Sequence, residues 1–176
     1  MKNGRFYTLI LIACFLIAPS GYADQKMVSH GVTIKVPPAI SLFGSQSDLD
    51  FAFNGNKAGE ETNEVTVEYS VFANALQQAD GANVLTATLD NRLSDMDFQA
   101  SVGAYSKTSG DTELVPAQAG YVTVQDSETS LAVKSGSVGS GQLLKGTLPV
   151  TYKAVATSDL PSGTKSQRLT ITLTDV

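Results

Sequence analysis

The sequence predicts an all-β protein, an antiparallel sandwich, and three observations carry that expectation. Apolar residues recur at a period of two through most of the chain, as in Val65, Val67, Tyr69 and Val71 with Glu64, Thr66 and Glu68 between them. Gly, Pro and Asn clusters break the chain into short segments of strand length. Only residues 74–80 permit helix, and they read as one short turn of helix or a loop.

The opening segment reads as an export signal spanning residues 1–23. Lys2 and Arg5 supply the basic region, Phe6 to Ala18 the apolar stretch, and Gly21-Tyr22-Ala23 the small residues before a cleavage site ahead of Asp24. The apolar run is too short for a membrane-spanning helix. Leu11-Ile12-Ala13-Cys14 looks like a lipidation box, but it would leave Phe15-Leu16-Ile17 directly after the lipidated cysteine. Gly4-Arg5-Phe6 lacks the acidic residue that a type IV prepilin site needs shortly after it.

Residues 24–36 follow as a separate N-terminal strand. Val28, Val32, Ile34 and Val36 share one face with a period of two, Ser29, Thr33 and Lys35 share the other, and Pro37-Pro38 ends the ladder. Two occupancies fit such a stretch: an edge strand of its own domain, or a strand given to a neighbouring subunit.

Residues 37–176 read as a single domain of ordinary size. Ala39 to Phe43 forms a short apolar strand closed by Gly44, and Leu49 to Phe53 alternates before the turn Asn54-Gly55-Asn56. Glu64 to Val71 is the clearest half-buried strand, and a one-residue slip there would bury two carboxylates. Val84 to Asp90 and Met96 to Val102 repeat the alternation around an acidic loop at 90–95. Tyr121 to Val124 and Leu131 to Val133 are short strands, and the Gly/Ser stretch 135–141 suits a hairpin tip. The strand through Leu144, Leu148, Val150, Tyr152 and Ala154 is interrupted by Gly146 and Pro149, which predicts an edge or a bulge at the proline. Leu169, Ile171 and Leu173 alternate with threonines in the last strand, after the turn Leu160-Pro161-Ser162-Gly163. About nine or ten short strands make a sandwich the expected architecture. Its expected core is Val65, Val67, Tyr69, Val71, Leu85, Leu89, Phe98, Leu148, Val150, Ile171 and Leu173.

Composition excludes several functions. The net charge is −5 and the leader removes two cations but no acid, which disfavours nucleic acid and anionic lipid as partners. The one cysteine, Cys14, lies in the leader, so apolar burial and sheet hydrogen bonds must hold the exported domain without disulfides. His30 is the sole histidine, which rules out a multi-histidine metal site and leaves serine–histidine catalysis only a residue in the first strand. Asp90, Asp95 and Asp97 carry oxygens suited to calcium, but lack the glycine turn and terminal glutamate of an EF-hand loop and equally suit a solvated acidic loop. Tryptophan is absent, and the tyrosines and phenylalanines fall mostly at inward positions, which removes the usual stacking platform for a sugar. No enzyme activity, cofactor, small-molecule substrate or metal is expected.

The order Val32-Thr33-Ile34-Lys35-Val36, prolines, then Ala39-Ile40-Ser41-Leu42-Phe43-Gly44 directly after a leader resembles the N-terminus of the colonisation-factor group of fimbrial major subunits, the alpha-type pilins of the chaperone-usher route. Where members show an acidic residue before a single proline, this chain has Val36-Pro37-Pro38. The resemblance implies an incomplete immunoglobulin-like domain. Its groove is filled first by a periplasmic chaperone and then, after export through an outer-membrane usher, by the N-terminal strand of the next subunit. The donor strand is thereby assigned to Val28, His30, Val32, Ile34 and Val36. The expected function is a structural subunit of a cell-surface filament, a homopolymer serving adhesion or biofilm formation. The alternative is a monomeric secreted module that binds a glycan or a surface protein.

Overall fold

The computed structural model describes Gly31 and residues 33–76, 81–135 and 143–174. Residues 36–176 form one compact unit. Among the described residues there is no helix, and ten strands run in chain order: β1 (Ile40–Gly44), β2 (Val65–Ala73), β3 (Asn83–Leu89), β4 (Met96–Val102), β5 (Ser106–Gly110), β6 (Glu113–Pro116), β7 (Tyr121–Thr123), β8 (Thr129–Ser135), β9 (Leu144–Ala156) and β10 (Leu169–Leu173). They build two antiparallel sheets. The larger has the order β1-β2-β9-β4-β7, with β5 also pairing β9, and the smaller has the order β10-β3-β8-β6.

One apolar core joins the two sheets. Val67, Val71, Phe98, Leu148 and Tyr152 from the larger sheet and Leu85, Leu89 and Leu131 from the smaller are buried in a single cluster. Strand β2 keeps the register that its alternation predicts, with Val67, Tyr69 and Val71 buried and Thr66, Glu68 and Ser70 exposed. Ile171 and Leu173 are only partly buried against this core, and Val65 at the start of β2 is half-buried outside it. Phe98 stacks on Tyr152 at 5.6 Å and meets Phe51 edge-on at 5.5 Å. The hydroxyls of Tyr69 and Tyr152 lie 3.0 Å apart, so each buried phenol is satisfied by the other, and burial raises both above the ordinary tyrosine range.

Two sequence expectations are corrected. Strand β9 is not interrupted. It runs unbroken through Gly146 and Pro149 at the centre of the larger sheet, pairing β2 on one side and both β4 and β5 on the other. Pro149 is tolerated there because the partner changes at that point: β4 pairs as far as Val150 and β5 begins at Thr147. The carbonyl of Pro149 accepts from Gly103 N–H at 2.9 Å on that side. The nitrogen without a hydrogen faces the same seam, so no ladder bond is lost. Gly146 lies under Tyr105, where an added Cβ would come within 2.5 Å of the ring, so this glycine marks a close approach and not a break.

The second correction concerns Leu49 to Phe53, which are not a ladder strand. Leu49, Phe51 and Phe53 are half-buried and Asp50 and Ala52 exposed, but only Phe53 makes a bridge, to Thr62. Alternation records that one face is buried, not that a neighbour is paired. The Gly/Ser stretch expected as a hairpin tip lies, from residue 136 on, outside the described residues, and the strands before and after it, β8 and β9, belong to different sheets. Strands β5 and β6 went unread in the sequence. Every residue of β5 is exposed, and a polar strand leaves no apolar period to detect.

Candidate functional site

The two sheets leave a pair of outer strands, β1 and β10, neighbouring each other with no strand between them. Their hydrogen bonding shows which backbone groups are left unbonded among the described residues. Asp90 N–H donates to the Arg168 carbonyl at 3.1 Å, and Thr174 N–H donates to the Val84 carbonyl at 2.9 Å. Bonded pairs alternate along an antiparallel ladder, so residues 168, 170, 172 and 174 bond to β3, and Leu169, Ile171 and Leu173 turn N–H and C=O toward the open edge.

The same parity holds on β1. Asn74 N–H donates to the Ala39 carbonyl and Ser45 N–H to the Glu68 carbonyl, so the odd residues bond to β2, and Ile40, Leu42 and Gly44 face the opening. On both edges the residues with unpaired backbone are the ones whose apolar side chains face the core. Leu42, Leu169, Ile171 and Leu173 pack against it while staying partly exposed, and Ile40 is 45 % exposed. Toward the start of β10 the opening widens into a cleft of about 930 Å³ whose walls include Phe51, Leu89, Phe98, Leu169 and Ile171. Gln167 Oε1, also on this cleft, is buried without a hydrogen-bond partner among the described residues.

Chemically, this region combines backbone and side-chain features of an uncovered sheet edge. It offers N–H and C=O groups along an edge, an apolar floor for every second side chain, and a buried acceptor at one end. Among the described residues no three His, Cys, Asp or Glu side chains cluster as a metal site would require. Each carboxylate weighed for calcium instead meets a cation. Asp97 pairs with Arg92 at 2.6 Å, Asp90 with Arg168 at 3.8 Å, and Asp95 with Lys165. The hydrogen bond and charge of Lys165 hold the Asp95 carboxyl below the usual carboxylate range.

Of the residues assigned to the N-terminal strand, Val28, His30 and Val32 lie outside the described residues. Ile34 and Val36 are 81 % and 73 % exposed, and residues 33–39 form no ladder among the described residues. Asn74 is a residue that sequence reasoning missed. Its Oδ1 accepts from Ala39 N–H at 2.6 Å and its Nδ2 donates to the Pro37 carbonyl at 3.0 Å, fixing the chain directly after the apolar stretch. Its place after a strand in a helix-permissive run gave no hint of this, since both bonds span more than thirty residues of sequence.

No protein-family model matches the chain, and no curated protein or solved structure matches it either.

Proposed function

We propose that this chain is the structural subunit of an extracellular bacterial filament, in which residues 28–36 of one copy fill the groove along the β10 edge of the next. The observation that supports this reading most directly is the β10 edge, where Leu169, Ile171 and Leu173 present backbone unbonded among the described residues together with half-buried side chains. An incoming strand with Val32, Ile34 and Val36 on one face has the matching period of two. Each of these side chains contributes about 1.5–3 kcal/mol on full burial, and each ladder bond adds about 0.5–1.5 kcal/mol net. Export by the leader and handling by a periplasmic chaperone and an outer-membrane usher are the partners that the N-terminal resemblance supplies. No reaction is proposed.

A second reading, a monomeric secreted binding module, draws on a different observation. Phe43 is 70 % exposed on the outer face of β1, and with Phe72, Ser41 and Lys145 it lines a hollow of about 210 Å³. Size-exclusion and negative-stain microscopy of the chain lacking residues 1–23 discriminate the two. Under the filament reading the protein polymerises, and a synthetic peptide of residues 24–36 caps free grooves and stops growth. A stable monomer indifferent to that peptide would overturn the filament reading and favour the module.

A further inference from the structure

Leu49, Phe51 and Phe53 repeat at the same i, i+2, i+4 spacing as Val32, Ile34 and Val36, and Leu49 to Phe53 line the same cleft as Leu169 and Ile171. Their apolar face packs on the core, with Phe51 edge-on to Phe98, as a strand in that place would pack. Their backbone does not follow. Up to the Phe53 bridge, the hold on this segment is the side chain of Asn63, whose Oδ1 accepts from Ala52 N–H at 2.9 Å and whose Nδ2 reaches the Asp50 carbonyl at 3.5 Å. The apolar surface is thus covered while the ladder is left unmade.

We infer that residues 49–53 are an internal plug, which shields the wide end of the groove in the free subunit and is displaced when a strand joins β10. This rests on the filament reading and adds a regulatory step to it. A segment attached by side-chain packing and one amide shields the apolar walls from water, yet gives way to an occupant that brings both side chains and a full ladder. The plug therefore slows capture of a strand and lowers its apparent affinity by the same factor, while leaving its release rate untouched.

The chain contains no tryptophan, so Phe51→Trp places a single emission reporter on the plug. With this variant in the form lacking residues 1–23, binding of the 24–36 peptide should red-shift the indole emission as it leaves Phe98. Asn63→Ala, which removes the amide hold, should raise the association rate of the peptide about fivefold, the factor expected for one net hydrogen bond, and leave its dissociation rate unchanged. If Asn63→Ala does not fold, the emission shift alone decides. Peptide binding without a red shift, or at the same rate in both proteins, overturns the plug and leaves the groove reading standing. If the peptide binds neither protein, the groove reading falls and the plug falls with it, since there is then nothing for it to admit.

Discussion

The smaller sheet has two edges, and they are built oppositely. At β6 the strand is four residues long, and its bonding to β8, continued by Ala117 N–H to the Leu131 carbonyl, leaves Leu114 and Pro116 facing outward. Pro116 has no N–H, so that edge keeps a single free donor, at Leu114, whose side chain is already fully buried. At β10 the strand has no proline, three residues whose N–H and C=O are unbonded among the described residues, and side chains that still expose apolar surface. The contrast teaches that one domain closes an edge by withholding a donor and keeps another edge open by leaving its apolar face half covered.

The largest expected effect is on the segment that would fill the open edge. Ile34→Asp sets a carboxylate against the apolar floor, at a cost of several kcal/mol, so assembly should fail while the melting temperature of the isolated subunit stays unchanged. Unfolding of the isolated subunit by this change would assign residue 34 to its own domain's core.

A pair of prolines in β10 comes next. Thr172→Pro removes an N–H that bonds to β3 and should cost about 3 kcal/mol of stability by denaturant unfolding. Ile171→Pro removes only an outward N–H and part of the floor, so it should cost about 1–2 kcal/mol less than its neighbour and still stop strand addition, reproducing at β10 the device seen at β6. Equal losses at the two positions would contradict the bonding parity assigned to this strand.

A smaller effect is expected from acid. The Asp95 carboxyl, held low by Lys165, contributes stability above the ordinary carboxylate pKa and loses it as the pH falls through its lowered value. Melting curves taken from neutral pH to below roughly pH 4 should show a steeper decline for the parent protein than for Asp95→Asn. The smallest effect belongs to Pro116→Ala. It restores one N–H on a four-residue edge with no open apolar face, so stability should change by less than about 0.5 kcal/mol and no new association should appear in size-exclusion.

How far the sequence reaches is visible residue by residue. The alternation of Val67, Tyr69 and Val71 and of Leu169, Ile171 and Leu173 determined by itself that these segments are extended with one apolar face, because successive side chains of an extended chain point to opposite sides. The apolar face of Leu49 to Phe53 was equally legible, as were the turns at Asn54-Gly55-Asn56 and Leu160 to Gly163. Tertiary structure alone decided which of these faces found a partner strand. That choice put Pro149 at a seam inside the central strand, gave Asp95 and Asp97 to Lys165 and Arg92, tied Asn74 to Pro37 and Ala39, and left β10 open. The physical reason is range. Burial patterns are written locally, whereas backbone pairing and ion pairing join residues far apart in the chain, and nothing in a strand's own residues records which edge the fold will leave without a neighbour.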